Sequence, residues 1–109
     1  MYVYVAGPLT KGHRIYNVRQ AIDAAERIAL RGHTPFVPYL HDFWKLMYQH
    51  DYEFWMQMDF DWINKCDILV RLPGESLGSD REVEHAKFLH KPVFIGLDAF
   101  MNDPLWTKV

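Results

Sequence analysis

Apolar residues in this chain alternate between short β-branched or aromatic runs and longer stretches in which they recur at helical spacing. Tyr2-Val3-Tyr4-Val5-Ala6 is a run of the first kind, closed by Gly7-Pro8, and predicts a buried strand followed by a tight turn. Val18, Ala21, Ile22, Ala25, Ile28 and Ala29 follow at i, i+3, i+4 and i+7, which predicts a helix capped by Asn17 and ended at Gly32. Phe36-Val37 lies between Pro35 and Pro38 and predicts a short second strand near a sheet edge, because proline supplies no N–H to a ladder.

The stretch from Phe36 to Trp62 concentrates aromatic residues: Phe36, Tyr39, Phe43, Trp44, Tyr48, Tyr52, Phe54, Trp55, Phe60 and Trp62, with Met47, Met56 and Met58 among them. Two helices are expected here, over 40–48 and 52–65, the second capped by Asp51. Asp67 to Leu72 predicts a third strand, closed by Pro73-Gly74. Ser79-Asp80-Arg81-Glu82 then opens a helix carrying Val83, Ala86 and Leu89 and ended by Lys91-Pro92, and Pro92 to Gly96 is a fourth strand. The residues beyond it are expected to form a tail or a short terminal element.

Strands that alternate with helices predict a parallel sheet of four to five strands with helices on both faces, since parallel neighbours need long crossovers. The fold class expected is α/β, flavodoxin-like or Rossmann-like, with strand order 2-1-3-4. In that order the loops after the first and third strands leave the sheet in opposite directions and open a ligand crevice. Gly7-Pro8-Leu9-Thr10 and Gly74-Glu75-Ser76-Leu77-Gly78-Ser79 face it. Pro8, Leu9 and Ser79 are candidate substrate contacts on that ground.

Composition narrows the function classes. With 109 residues the chain is expected to be one domain, and 50% hydrophobic against 24% charged residues is a globular balance. Twelve basic and 14 acidic residues leave a net charge of −2, which supplies no field for a nucleic acid polymer or an anionic membrane. Cys66, the only cysteine, excludes an internal disulfide and suits a small buried residue in a reducing cytoplasm. None of the six histidines pairs with another at i, i+4, so no metal is expected. No apolar stretch reaches membrane-spanning length.

Several residues have two readings. Ser76-Leu77-Gly78-Ser79 ends at a helix start, where free N–H groups attract an anion, although Ser and Gly there are also ordinary capping chemistry. Ser79-x-x-Glu82 matches a capping box, the first reading on spacing alone, while a carboxylate at the rim of the crevice can also attack an electrophilic sugar carbon. Glu84 and Asp61 are expected to face solvent. Asp59 lies along the aromatic face of its helix, four residues after Trp55 and three before Trp62, either paired in the core or kept for a ligand. The aromatic stripe is core or subunit interface before it is a base-stacking wall. Arg71 ends an apolar strand and reaches the crevice or pairs with Asp67 or Glu75. Lys11, His13 and Arg14 form a polar loop or help neutralise a phosphate.

Three segments in order carry a resemblance: Tyr4-Val5-Ala6-Gly7-Pro8-Leu9-Thr10, then Asp59-x-x-Trp62-Ile63-x-x-Cys66-Asp67, then Ser76-Leu77-Gly78-Ser79-Asp80-Arg81-Glu82-Val83-x-x-Ala86. Together they resemble the nucleoside 2-deoxyribosyltransferase superfamily over residues 2 to about 95. They are most similar to its short members, which include 2'-deoxynucleoside 5'-monophosphate N-glycosidases and uncharacterised bacterial and phage relatives. The resemblance implies Glu82 as nucleophile and Asp59 as the carboxylate that contacts the sugar or assists the leaving base. It implies Tyr4 and Gly7 at the border of sugar and base, Ser76 and Gly78 at the 5' end, no cofactor, and a homodimer or larger homo-oligomer. The activity implied is cleavage or exchange of the N-glycosidic bond of a (deoxy)nucleoside or its 5'-monophosphate through a glycosyl-glutamate. The alternative is a non-catalytic module that binds or senses a nucleotide in the same crevice.

Overall fold

Tyr2–Ala6 forms strand β1, fully buried from Val3 onward, and every other layer of the molecule is built on it. The computed structural model describes residues 1–8 and 11–104. Along the chain follow α1 (Arg14–Leu30), β2 (Thr34–Phe36), α2 (Leu40–Met47), α3 (Tyr52–Lys65), β3 (Ile68–Arg71), α4 (Leu77–Phe88), β4 (Val93–Ile95) and α5 (Leu97–Met101). The sheet has the order β2-β1-β3-β4 with every neighbour parallel, and Tyr4 stands opposite Phe36 on one side and Leu69 on the other. This is the Rossmann-like α/β fold expected, with β2 at an edge.

Alternation along the strands sorts the core into two layers. Val3, Val5, Ile68 and Val70 point to one face and pack with Ala21, Ala24 and Ile28 of α1 and Phe100 of α5. Tyr4, Ala6 and Leu69 point to the other and pack with Ile63 of α3 and Val83 and Ala86 of α4. Cys66 is buried in this second layer, as expected. Tyr4 is thereby a fully buried, polar-tipped side chain that β1 sends towards α3 and α4.

Local expectations were corrected in four places. The α1 cap is His13, whose Nδ1 accepts from the Tyr16 N–H at 3.2 Å, while Asn17 is turned inward and donates to the Lys11 carbonyl at 2.6 Å. The face of α1 that meets the sheet runs through Asn17, Ala21, Ala24 and Ile28, leaving Ile22 exposed. Both faces share the helical period, and the one rich in alanine lies against the sheet because small side chains let the backbones approach. The second strand is Thr34–Phe36, so Val37 falls just outside it. Finally, α4 starts at Leu77, ahead of Ser79. The expected Asp51 cap of α3 is present, its Oδ1 accepting from the Phe54 N–H at 2.9 Å.

Strand order reverses between β1 and β3, and the loops that follow them meet at the carboxyl edge of the sheet. Pro8 is buried there against Gly74, whose φ of +116° and a distance of 2.7 Å from Pro8 Cγ to a hypothetical Cβ both require glycine. No helix among the described residues is long and apolar enough to cross a membrane.

Candidate active site

Ser76 caps α4: its Oγ accepts from the Ser79 N–H at 3.1 Å. Ser79 is therefore the third helical residue, and Glu82 lies a further turn along, too far from the cap to close a box on it. The capping-box reading of Ser79 and Glu82 is corrected accordingly. Glu82 instead points inward with 5% exposure, and its Oε2 accepts from the Tyr4 hydroxyl at 2.7 Å. Asp59, brought in by α3, lies within hydrogen-bonding reach of the same carboxyl group.

A buried carboxyl group beside a second one is costly to ionise in a dry site. Burial first, then the neighbouring Asp59, pushes the Glu82 carboxyl well above the ordinary carboxylate range, while the Tyr4 hydroxyl and the Arg71 charge pull the other way. Burial, followed by the charges of Glu82 and Asp59, also raises the Tyr4 phenol, which therefore stays a hydrogen-bond donor at neutral pH.

His41 of α2 is a member of this cluster that sequence reasoning missed. It is buried, and its Nδ1 lies 3.0 Å from Asp59 Oδ1, off the line of a full hydrogen bond, so that oxygen keeps an unfilled acceptor site. The ring sits 5.4 Å from Trp55 and 6.3 Å from Trp44. Part of the aromatic stripe thus forms the box that seats a histidine against a carboxylate. Its sequence signal was only that His41 and Lys45 share a helical face; the contact with Asp59 spans two helices and carries no local pattern.

A cavity of about 150 Å³ opens over these groups, lined by Gly7, Pro38, His41, Asp42, Lys45, Tyr52, Trp55, Met56, Asp59, Ser76, Gly78, Ser79 and Glu82. Of the residues singled out from sequence, Gly7, Asp59, Ser76, Gly78, Ser79 and Glu82 line it, and Tyr4 reaches it through Glu82. Pro8 instead props the opposing loop at Gly74, and Leu9, like Thr10, lies outside the described residues. Gly78 keeps the wall thin, since a Cβ there would stand 3.4 Å from the Tyr52 hydroxyl. Asp61 and Glu84 are exposed, as expected. Arg71 pairs with Asp80 at 3.0 Å, not with Asp67 or Glu75; Asp67 accepts from the Tyr2 N–H and Glu75 pairs with Lys11. A larger recess of about 520 Å³ lies across the sheet between α1 and α5, but its ion pair, Arg27 with Asp98, is 3.8 Å long and exposed, so no comparable chemistry is concentrated there. Among the described residues no three His, Cys, Asp or Glu side chains converge to hold a metal ion.

No curated protein matches this chain. Among solved structures it is similar to a 2-deoxyribosyltransferase from the psychrotolerant bacterium Bacillus psychrosaccharolyticus, with a TM-score of 0.64 and 22% identity over 92% of this chain and 80% of that one. The likeness is one of fold. Residues 1–95, which include the four strands together with Tyr4, His41, Asp59 and Glu82, match the family described as a domain of unknown function, DUF4406, and the chain belongs to that family.

Proposed function

We propose that this protein cleaves or exchanges the N-glycosidic bond of a (deoxy)nucleoside or nucleoside 5'-monophosphate, with Glu82 as nucleophile. One observation carries the reading: a buried carboxyl group at the switch-point crevice is held by a tyrosine hydroxyl and a second carboxyl rather than spent on its own helix cap. The fold shared with a 2-deoxyribosyltransferase supports it. A nucleoside seated in the cavity puts its sugar over Glu82, its base towards His41 and Trp55, and its 5' end towards Ser76 and Gly78.

A proton held on the carboxyl pair is what the reaction needs. When Glu82 attacks C1', its proton passes to Asp59, and the C1'–N bond breaks with its electron pair going to the base. Asp59 then delivers that proton to the base nitrogen. Tyr4 orients the attacking carboxylate, and His41 holds Asp59 in place. Water, or the nitrogen of a second base, then attacks C1' of the glycosyl ester, and its proton returns to the carboxyl pair as Glu82 departs. Hydrolysis and exchange differ only in that acceptor.

The test is incubation with a panel of nucleosides and 5'-monophosphates, with chromatography for free base and for exchanged base. Glu82→Gln is expected to lose release by several orders of magnitude, about what removal of a nucleophile costs, while remaining folded. Full turnover in the folded variant overturns the assignment of Glu82, and nucleotide binding by the wild type with no base released over long incubation favours the sensing module. A homo-oligomer belongs to the same proposal: Phe43, Leu46 and Met47 of α2, beside the cavity, are 68%, 76% and 78% exposed, an apolar edge that suits contact with a second copy. Light scattering is expected to give a mass above that of one chain and to show Leu46→Lys shifted towards monomer; a monomeric wild type excludes it.

A further inference from the structure

We propose that Arg71 is a positioning residue for Glu82: its guanidinium ties the loop between β3 and α4 to the first turn of α4 and so fixes where the carboxylate one turn further on must stand. This rests on the reading of Glu82 as nucleophile.

The fork geometry of arginine carries the argument. Arg71 is the last residue of β3, opposite Ala6 and Ile95, and its side chain is only 11% exposed. The guanidinium donates to the Leu72 carbonyl, to the Gly74 carbonyl at 2.9 Å and to Asp80 Oδ1 at 3.0 Å. Those three acceptors span the whole connection from strand to helix. Gly74, in the middle of it, has a φ of +116°, a conformation that few local forces favour, so the loop depends on ties of this kind to hold its shape. Asp80 and Glu82 share α4, so a loop that slips moves both. A lysine could supply the charge, but its three donors leave a single nitrogen, whereas Arg71 reaches the Leu72 carbonyl from one nitrogen and the Gly74 carbonyl and Asp80 from another.

Arg71 differs from an ordinary structural tie in the charge it brings. Among the described residues, the groups that act on Glu82 are the Tyr4 hydroxyl from β1, Asp59 from α3 with His41 of α2 behind it, and Arg71 from β3. Only Arg71 of these carries a permanent positive charge, and with Tyr4 it opposes burial and Asp59. Geometry and field therefore act on the same atom pair and are separable by substitution.

The experiment follows the Glu82 carboxyl carbon by NMR in the full-length protein labelled at glutamate carboxyls, its signal assigned by its loss in Glu82→Gln, alongside base release against pH. Arg71→Gln keeps amide donors for the loop carbonyls and removes the charge. The Glu82 titration is expected to move to higher pH, and with it the alkaline limb of kcat, where the carboxyl pair loses the proton the reaction needs, by about tenfold in rate per unit moved, with KM changed less than kcat. Arg71→Lys is expected to titrate close to wild type yet to recover only part of kcat. An Arg71→Lys protein with the full kcat of wild type overturns the proposal, as does an Arg71→Gln protein that both titrates and turns over like wild type. Either variant decides the matter if the other does not fold. If the wild type releases no base from any substrate, the glycosyl-transfer reading falls, while the titration still decides what Arg71 does to Glu82.

Discussion

At the scale of single residues, the cost of the site is concentrated in Glu82. Its buried carboxyl holds a proton to higher pH than it would in the unfolded chain, so its contribution to stability is complete below the ordinary carboxylate range and is lost as pH rises towards its raised native value. Glutamine has no such penalty. Its amide can donate to Asp59 while its carbonyl still accepts from Tyr4. Glu82→Gln is therefore expected to melt higher than wild type at pH 8, by about 4 °C or more if the relief reaches ~1 kcal/mol, and to melt at nearly the same temperature at pH 4. Calorimetry at both values checks this, and a pH-independent difference would contradict it. Tyr4→Phe removes the hydroxyl that favours the charged carboxyl. The alkaline limb of its base release, where the carboxyl pair loses its proton, is expected at higher pH than in wild type.

At the scale of elements, the first turn of α4 decides what the site is. Ser79-x-x-Glu82 and Ser76-x-x-Ser79 are both serines spaced for capping, and sequence alone cannot choose between them. The chain chooses Ser76 because the loop leaving β3, tied by Arg71 and pinned where Gly74 meets Pro8, reaches helical geometry at Leu77. Starting the helix three residues earlier releases Glu82 from capping and turns it towards Tyr4. Ser76→Ala is expected to cost about 1 kcal/mol, typical for loss of an N-cap, measured by urea unfolding, whereas Ser79→Ala does not remove the cap. Equal losses in the two variants would mean that the assigned helix start is wrong. The α1 helix shows the same ambiguity: periodicity predicted it, but two apolar faces competed and the contact of Ala21 and Ala24 with β1 and β3 selected one.

For the molecule as a whole, the site exists because two crossover units meet at one edge of a sheet. β1 contributes Tyr4, the α2 and α3 segment contributes His41 and Asp59, and the unit after β3 contributes Ser76 and Glu82. Bidentate contact of Arg81 with Glu53, at 2.6 and 3.1 Å, holds α4 to α3 and so holds the two carboxyl groups together. The close approach of the loops at Pro8 and Gly74 does the same for β1 and β3. Gly74→Ala meets both a positive φ and a 2.7 Å clash, and is expected to reduce base release and lower the melting temperature together. A variant that keeps both would show that the loops do not need this contact.

Order and type of the elements, the parallel sheet, its edge strand and the crevice were all legible in the sequence, because strand and helix periods and Gly-Pro punctuation are local properties of the chain. Tyr4, Asp59 and Glu82 could likewise be nominated from their segments. That Glu82 turns inward, that a tyrosine and a second carboxyl meet it, and that His41 lies behind them required the fold itself. Those contacts join residues far apart in the chain, and the sign of the Glu82 carboxyl's response to pH depends on burial and neighbours that only tertiary packing creates.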